Sequence, residues 1–198
     1  MTHYQTIEKP SMAEFKDRGS RFIAYAYPIQ SVEEFKKRIK ELKEEHPKAV
    51  HHCFAYRLGT DGNNFRSGDD GEPSGSAGKP ILNTIDSKGL TNTAVIVVRY
   101  FGGTLLGVPG LINAYKTATS FAIQLTPIIQ KPIVQDYTLE FAYDLMNEVM
   151  IVVKKFNCIV LHNEMQLFCN LKIGVPKAEE PYFLQRIGDL HGVEVRKG

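Results

Sequence analysis

Residues Thr93–Tyr100 (TAVIVVRY) place the tightest constraint on the fold. An almost unbroken apolar run of this length fits a strand that is covered on both faces. A chain built around such a strand must be layered, with further structure above and below it. A glycine-rich turn follows at once, residues 101–110 (FGGTLLGVPG). Pro109 suits the first helical position. Residues 111–125 are predicted to continue as a helix rich in small side chains.

Residues 21–27 (RFIAYAY) are aromatic and β-favouring and stop at Pro28, which predicts a second strand. Ser31 and Glu34 form a capping box. Val32, Phe35, Ile39 and Leu42 then recur at helical spacing up to His46-Pro47. Residues 50–58 (VHHCFAYRL) predict a third strand. Its period of two sends His52, Phe54 and Tyr56 to one face and His51, Cys53 and Arg57 to the other. Residues 59–78 form a long glycine- and acid-rich segment, and 79–87 a helix ended by Gly89. An irregular stretch of that length in a compact domain points to a functional role or local disorder.

Two prolines in residues 126–132 (TPIIQKP) mark a domain boundary, giving domains 1–130 and 131–198. Beyond it the expected elements are strand 137–142, a helix from Asp144, strand 158–162, strand 165–175, a helix over 177–190 and strand 192–196. In residues 165–175 Met165, Leu167, Cys169, Leu171 and Ile173 alternate with polar positions or Phe168, the mark of a half-buried strand. The order βαββαβ is ferredoxin-like, and the whole chain is α+β.

The composition excludes several classes. Hydrophobic residues make up 43% and charged residues 23%, which fits neither a collagen-like nor a disordered chain. No apolar run reaches membrane-spanning length, and MTHYQTIEKP lacks the apolar core of a secretory signal, so a cytoplasmic protein with no membrane association is expected. Cys53, Cys158 and Cys169 contain no CxxC pair and fit neither a disulfide framework nor a structural zinc site. Residues 1–130 hold 16 Lys+Arg against 13 Asp+Glu, a net +3, and the remainder 8 against 9, a net −1. That is a mild bias toward an anionic partner in the first part.

Three stretches carry candidate chemistry. His51, His52 and Cys53 with Asp69, Asp70 and Glu72 are residue types that bind zinc or manganese. Adjacent strand residues point to opposite faces, however, so the two histidines do not serve one ion, and no metal or cofactor is expected. Residues 67–80 (SGDDGEPSGSAGKP) are either a loop shaped by glycine or a set of backbone donors beside Asp69, Asp70, Glu72 and Lys79. They do not form a phosphate-cradling GxxxxGK[ST] loop. The turn 101–110 is open to two readings. It is an anion site at a helix N-terminus, or close helix-on-sheet packing that needs glycine at Gly102 and Gly103.

Taken together, residues 20–29, 46–59, 67–82 and 95–115 resemble the Impact/YigZ family, in the family's order, and the tail from about Gln135 resembles the small second domain of its bacterial members. One departure is Pro109 in GVPGL, where the family's usual turn reads GTGGL; proline removes one backbone donor. The resemblance implies a first domain like domain IV of elongation factor G and a ribosomal protein, with a βαβ arrangement, and a second like domain V. Eukaryotic relatives regulate translation by binding a large activator of a stress kinase through a further domain. A proline-dipeptidase label carried by some members finds no metal-ligand set in these segments.

The expected function is a non-enzymatic, translation-associated factor that binds RNA, the ribosome or a translation protein. Arg21, Arg57, Lys79 and Arg99 are the candidate phosphate contacts, and Tyr100 and Phe101 either stack on a base or pack into the core. The alternative is a small enzyme or a metabolite- or anion-binding protein with its site between loop 67–80 and turn 101–110. There His51 or His52 would act as base and Lys79 as electrostatic stabiliser.

Overall fold

The computed structural model describes residues 1–198. Its first unit runs from Tyr4 to Lys131, and its second comprises Pro132–Gly198 with Met1–His3. The first unit contains β1 (His3–Ile7), β2 (Ser11–Asp17), β3 (Ser20–Pro28), α1 (Val32–Glu45), β4 (His51–Leu58), β5 (Asn64–Gly68), α2 (Gly78–Ser87), β6 (Thr93–Tyr100), α3 (Gly107–Gln124) and β7 (Ile128–Pro132). Five strands form an antiparallel sheet in the order β2-β3-β6-β4-β5. The apolar run of β6 is therefore the central strand, and every residue from Thr93 to Arg99 is buried.

Both faces of this sheet are covered. Val95 and Val97 join Phe22, Cys53, Ala55, Ile81 and Ala118 under α2 and α3. Ala94 and Ile96 join Phe35, Leu42, Tyr56 and Leu58 under α1. The alanines of α3 at 114, 118 and 122 fall on its buried face and let the helix lie close to the strands. At the start of α1, Ser31 accepts a hydrogen bond from the Glu34 N–H at 3.2 Å, and the Glu34 carboxylate accepts one from the Gln30 N–H at 2.9 Å. The box thus reaches one residue further back than the usual reciprocal pair.

The structure adds to or departs from the local expectations at four points. Five residues of the segment expected to be irregular form β5, an edge strand whose polar sequence NFRSG shows no apolar alternation. The strands β1 and β2 were not signalled: β1 is five residues long with only Thr6 and Ile7 buried, and β2 is half-buried with no fully buried residue. Residues 128–132, within the stretch expected to hold the domain boundary, form strand β7, which pairs with β1. Pro109 is the third residue of α3, not the first; its missing N–H still falls in the turn where backbone donors lack helical partners.

The second unit contains β8 (Val134–Ala142), a 3-10 turn over Tyr143–Leu145, α4 (Met146–Lys155), β9 (Ile159–Met165), β10 (Phe168–Pro176), α5 (Glu180–Gly188) and β11 (Val193–Lys197). The order is βαββαβ, and the antiparallel sheet runs β11-β8-β10-β9. Val149, Val152, Val153, Phe183 and Ile187 cover Leu139, Phe141, Leu171 and Ile173. Cys169, Leu171 and Ile173 are buried as their alternation requires. Met165 and Leu167 are exposed, because they lie at the end of β9 and in the following turn, away from the packed core. No helix in the chain is long and apolar enough to cross a membrane.

Each unit buries its own apolar cluster. We therefore expect residues 1–132, expressed alone, to unfold cooperatively in urea. A fragment ending at Thr126 loses β7, leaves β1 without its partner, and should unfold at lower urea. A gradual, non-cooperative loss of circular dichroism in the 1–132 fragment would count against separable domains.

Candidate functional site

The acid-rich loop is organised by its own first carboxylate. Asp69 accepts hydrogen bonds from the N–H groups of Gly75, Ala77 and Gly78 at 2.9, 3.1 and 2.8 Å. Ala77 stands at the N-cap of α2 and has no side chain able to cap it. A carboxylate eight or nine residues upstream does this work, stabilised by the helix dipole. The backbone donors that the glycines gather thus serve an anion of the same chain.

Asp70 turns the chain with φ +42°. Its carboxylate accepts a 2.7 Å hydrogen bond from the His52 N–H, and its carbonyl accepts one of 2.7 Å from His51 Nδ1. A carbonyl can only accept, so His51 carries its proton on Nδ1 and presents Nε2 to Glu72, 3.7 Å away. His52 lies on the opposite face of β4, as the period of two requires. No group of three or more His, Cys, Asp or Glu side chains converges as a metal site.

Glu72 is the centre of the region. One of its oxygens accepts from Arg99 Nη1 at 2.6 Å and from the Tyr115 hydroxyl at 2.7 Å. The side chains of Glu72 and Arg99 are 3% and 6% exposed, so this is a buried ion pair. The Cys53 sulfur lies 3.0 Å from the Asp69 carbonyl and 3.3 Å from the Tyr115 hydroxyl, two acceptors for its single proton. Burial pushes both the Cys53 thiol and the Tyr115 hydroxyl well above their ordinary pKa ranges, so neither ionises near neutrality.

Arg99 also ties in the glycine turn. Its guanidinium lies between the rings of Phe22 and Phe101, 5.3 and 5.6 Å from their centroids. The Ser20 hydroxyl accepts from the Gly102 N–H at 3.1 Å. A Cβ on Gly102 would overlap the backbone of Gly19 and Ser20, and Gly103 has φ +89°. The close approach that Gly102 permits is therefore to the chain's own β2–β3 turn.

The remaining candidates do not join this cluster. Arg57 makes a bidentate pair with Asp86, at 2.6 and 2.9 Å. Arg21 pairs with Glu14 at 2.8 Å and lies over the ring of Tyr100. The Tyr100 hydroxyl bonds His46 Nδ1 at 2.8 Å, while His46 Nε2 bonds the Tyr25 hydroxyl at 2.8 Å. Lys79 is exposed on the first turn of α2, in a groove shared with Lys88 and Lys116. Lys79 thus faces solvent in this groove, whereas Arg99 is buried against Glu72.

Tyr115, Ser20, Lys88 and Lys116 were not singled out by the sequence. Tyr115 had a signal: its place among Leu111, Ala114 and Ala118 puts a hydroxyl inside the core, where it needs a partner. Lys116 had one too, as the sole charged residue of the eighteen-residue α3.

The first unit is a five-stranded α/β layer in which glycine-rich segments close around a buried acid–arginine pair. A protein of this class matches the Impact N-terminal domain over residues 18–123. The chain is 32% identical to the IMPACT family member YigZ of Escherichia coli over 174 residues, covering 87% of this chain and 85% of that one. It is 33% identical to YvyE of Bacillus subtilis over 141 residues, covering 68% and 65%. A solved crystal structure of a hypothetical protein superposes with a TM-score of 0.79 at 29% identity, covering 98% of this chain and 97% of that one. The chain belongs to the Impact family.

Glu72→Ala should cost about 3–5 kcal/mol, because it strands the Arg99 charge in the core. Adding Arg99→Met should recover part of that loss. Urea unfolding of the two variants checks this; equal stability of Glu72→Ala and wild type would remove the pair from its structural role.

His52 gives a pH dependence. Burial holds its imidazole below the usual histidine range, and the nearby Asp70 carboxylate offsets only part of this. As pH falls through about 6.5 the unfolded chain binds this proton before the folded one does, so the contribution to stability is present above that pH and lost below it. Urea midpoints measured from pH 7.5 to 5 should decline less in His52→Gln than in wild type.

Proposed function

We propose that this chain is a non-enzymatic factor associated with translation, acting in the cytoplasm by binding RNA, the ribosome or a translation protein. The observation that carries this reading is the internal use of the loop carboxylates and of the Cys53 thiol. Glu72 is held by Arg99 and Tyr115, Asp69 by three backbone donors, and Cys53 is a protonated core thiol. Groups tied in this way build a rigid surface, whereas a general acid or base must reach a substrate proton. Family membership supplies the link to translation, and a correspondence of the two units to domains IV and V of elongation factor G belongs to the same reading. That link rests on fold analogy, so the partner must come from experiment.

The test is co-sedimentation of the full chain with ribosomes, structured RNA and purified translation factors across a salt series. Association is expected at about 50 mM salt and should weaken steeply by about 200 mM if phosphates supply the contacts. Absence of enrichment in every fraction would sink the proposal.

A further inference from the structure

Between α2 and α3 runs a groove of about 690 Å³. One wall is built from residues four apart along α2: Lys79, Asn83 and Ser87, with Pro80, Thr84 and Lys88 beside them. The other is Ile112, Lys116 and Ser120 of α3, again four apart. Lys79 and Lys88 are about nine helical steps apart and Ile112 and Ser120 about eight, so the walls are about 12–14 Å long at the helical rise. That length receives a little over two turns of a third helix.

Its charge is one-sided. Lys79 and Lys88 stand at the two ends of the α2 wall, and Lys116 stands midway along the opposite wall. No acidic side chain lines the groove. The one acid of α2, Asp86, is bound to Arg57, and α3 carries no acid at all. Ile112 gives the α3 wall an apolar point, and an exposed apolar ridge continues from it beyond the end of the groove. Val108 and Ile112 lie one turn apart on the same side of α3 as Lys116, 45% and 39% exposed, and Leu105 just before the helix is 80% exposed. A nucleic-acid backbone would satisfy the lysines but leave this ridge wet, whereas a helix with one apolar ridge and acidic flanks would cover both.

We propose that the groove between α2 and α3 docks an acidic amphipathic helix of a partner protein. The inference rests on the binding-factor reading above and names its partner chemistry. The apolar ridge of the incoming helix would seat on Val108, Ile112 and Pro80. Its carboxylates on either flank would meet Lys79 and Lys88 on one side and Lys116 on the other. Asn83, Thr84, Ser87 and Ser120 are short enough to let a helix approach.

The test uses the full chain and a fluorescein-labelled sixteen-residue peptide with Leu at i, i+4, i+7 and i+11 and Glu on both flanks, titrated by fluorescence anisotropy. A scrambled peptide of the same composition and a structured RNA hairpin are the comparison probes. Saturable binding is expected to be at least about tenfold tighter for the amphipathic peptide than for the scrambled one, and weaker at high salt. Lys79→Glu with Lys116→Glu should weaken it by a further tenfold or so, while Lys40→Glu on α1 should leave it unchanged. Because the lysines are exposed, melting temperatures should stay near wild type; if the reversal variant melts early, Lys79→Gln with Lys116→Gln takes its place. No saturable binding, equal binding of the scrambled peptide, or undiminished binding by the groove variants overturns the proposal. So does RNA binding that the groove variants lose, which would assign the groove to phosphate instead. If the peptide fails while co-sedimentation with the translation machinery persists, the groove assignment falls and the wider reading stands.

Discussion

The Glu72–Arg99 pair joins parts of the first unit that are far apart in the chain. Arg99 ends the central strand, and Glu72 sits in the loop that leads to α2. Tyr115 brings in α3 through the same carboxylate oxygen, and Phe101 carries the glycine turn over the guanidinium. A buried pair of this kind is a modest source of stability by itself, because both charges were taken out of water. Its consequence is orientation. With one partner for each charge, the loop, the turn and the helix have one favoured arrangement over the sheet.

The glycines make that arrangement possible. Gly102 lets the turn after β6 touch the backbone of the β2–β3 turn, where any side chain would collide. Asp69 gathers the N–H groups of Gly75, Ala77 and Gly78 and so closes the N-terminus of α2. Features that suggest a phosphate cradle in the sequence are here satisfied from within. The same geometry leaves Lys79, one residue beyond the capped start of α2, facing outward into the α2–α3 groove.

Charge is therefore distributed by pairing and not by count. Arg21, Arg57 and Arg99 each meet a carboxylate of the same chain, and the deepest of these pairs lies in the core. The lysines of the groove face solvent with no acid along its walls. For an exposed surface this difference matters more than the formal net charge of +2, because a cation already paired offers little to a partner.

Local patterns carried much of the architecture. The apolar run of β6 required cover on both faces, the spacing of Phe35 and Leu42 with the Ser31 cap defined α1, and the alternation in β4 separated His51 from His52. The order βαββαβ was legible for the same reason: burial imposes its period directly on neighbouring residues. The strands β1, β2 and β5 were not, since β1 and β5 are only five residues long and β2 has no fully buried position, so none shows a clear period. Nor was the fate of the candidate site residues. Which arginine meets which carboxylate depends on contacts across 27 residues for Arg99 with Glu72 and 29 for Arg57 with Asp86, and no spacing rule reaches so far. The sequence by itself determined which residues must be covered; only the tertiary structure decided which charges were left to face a partner, because pairing is settled by proximity in the folded chain and not by order along it.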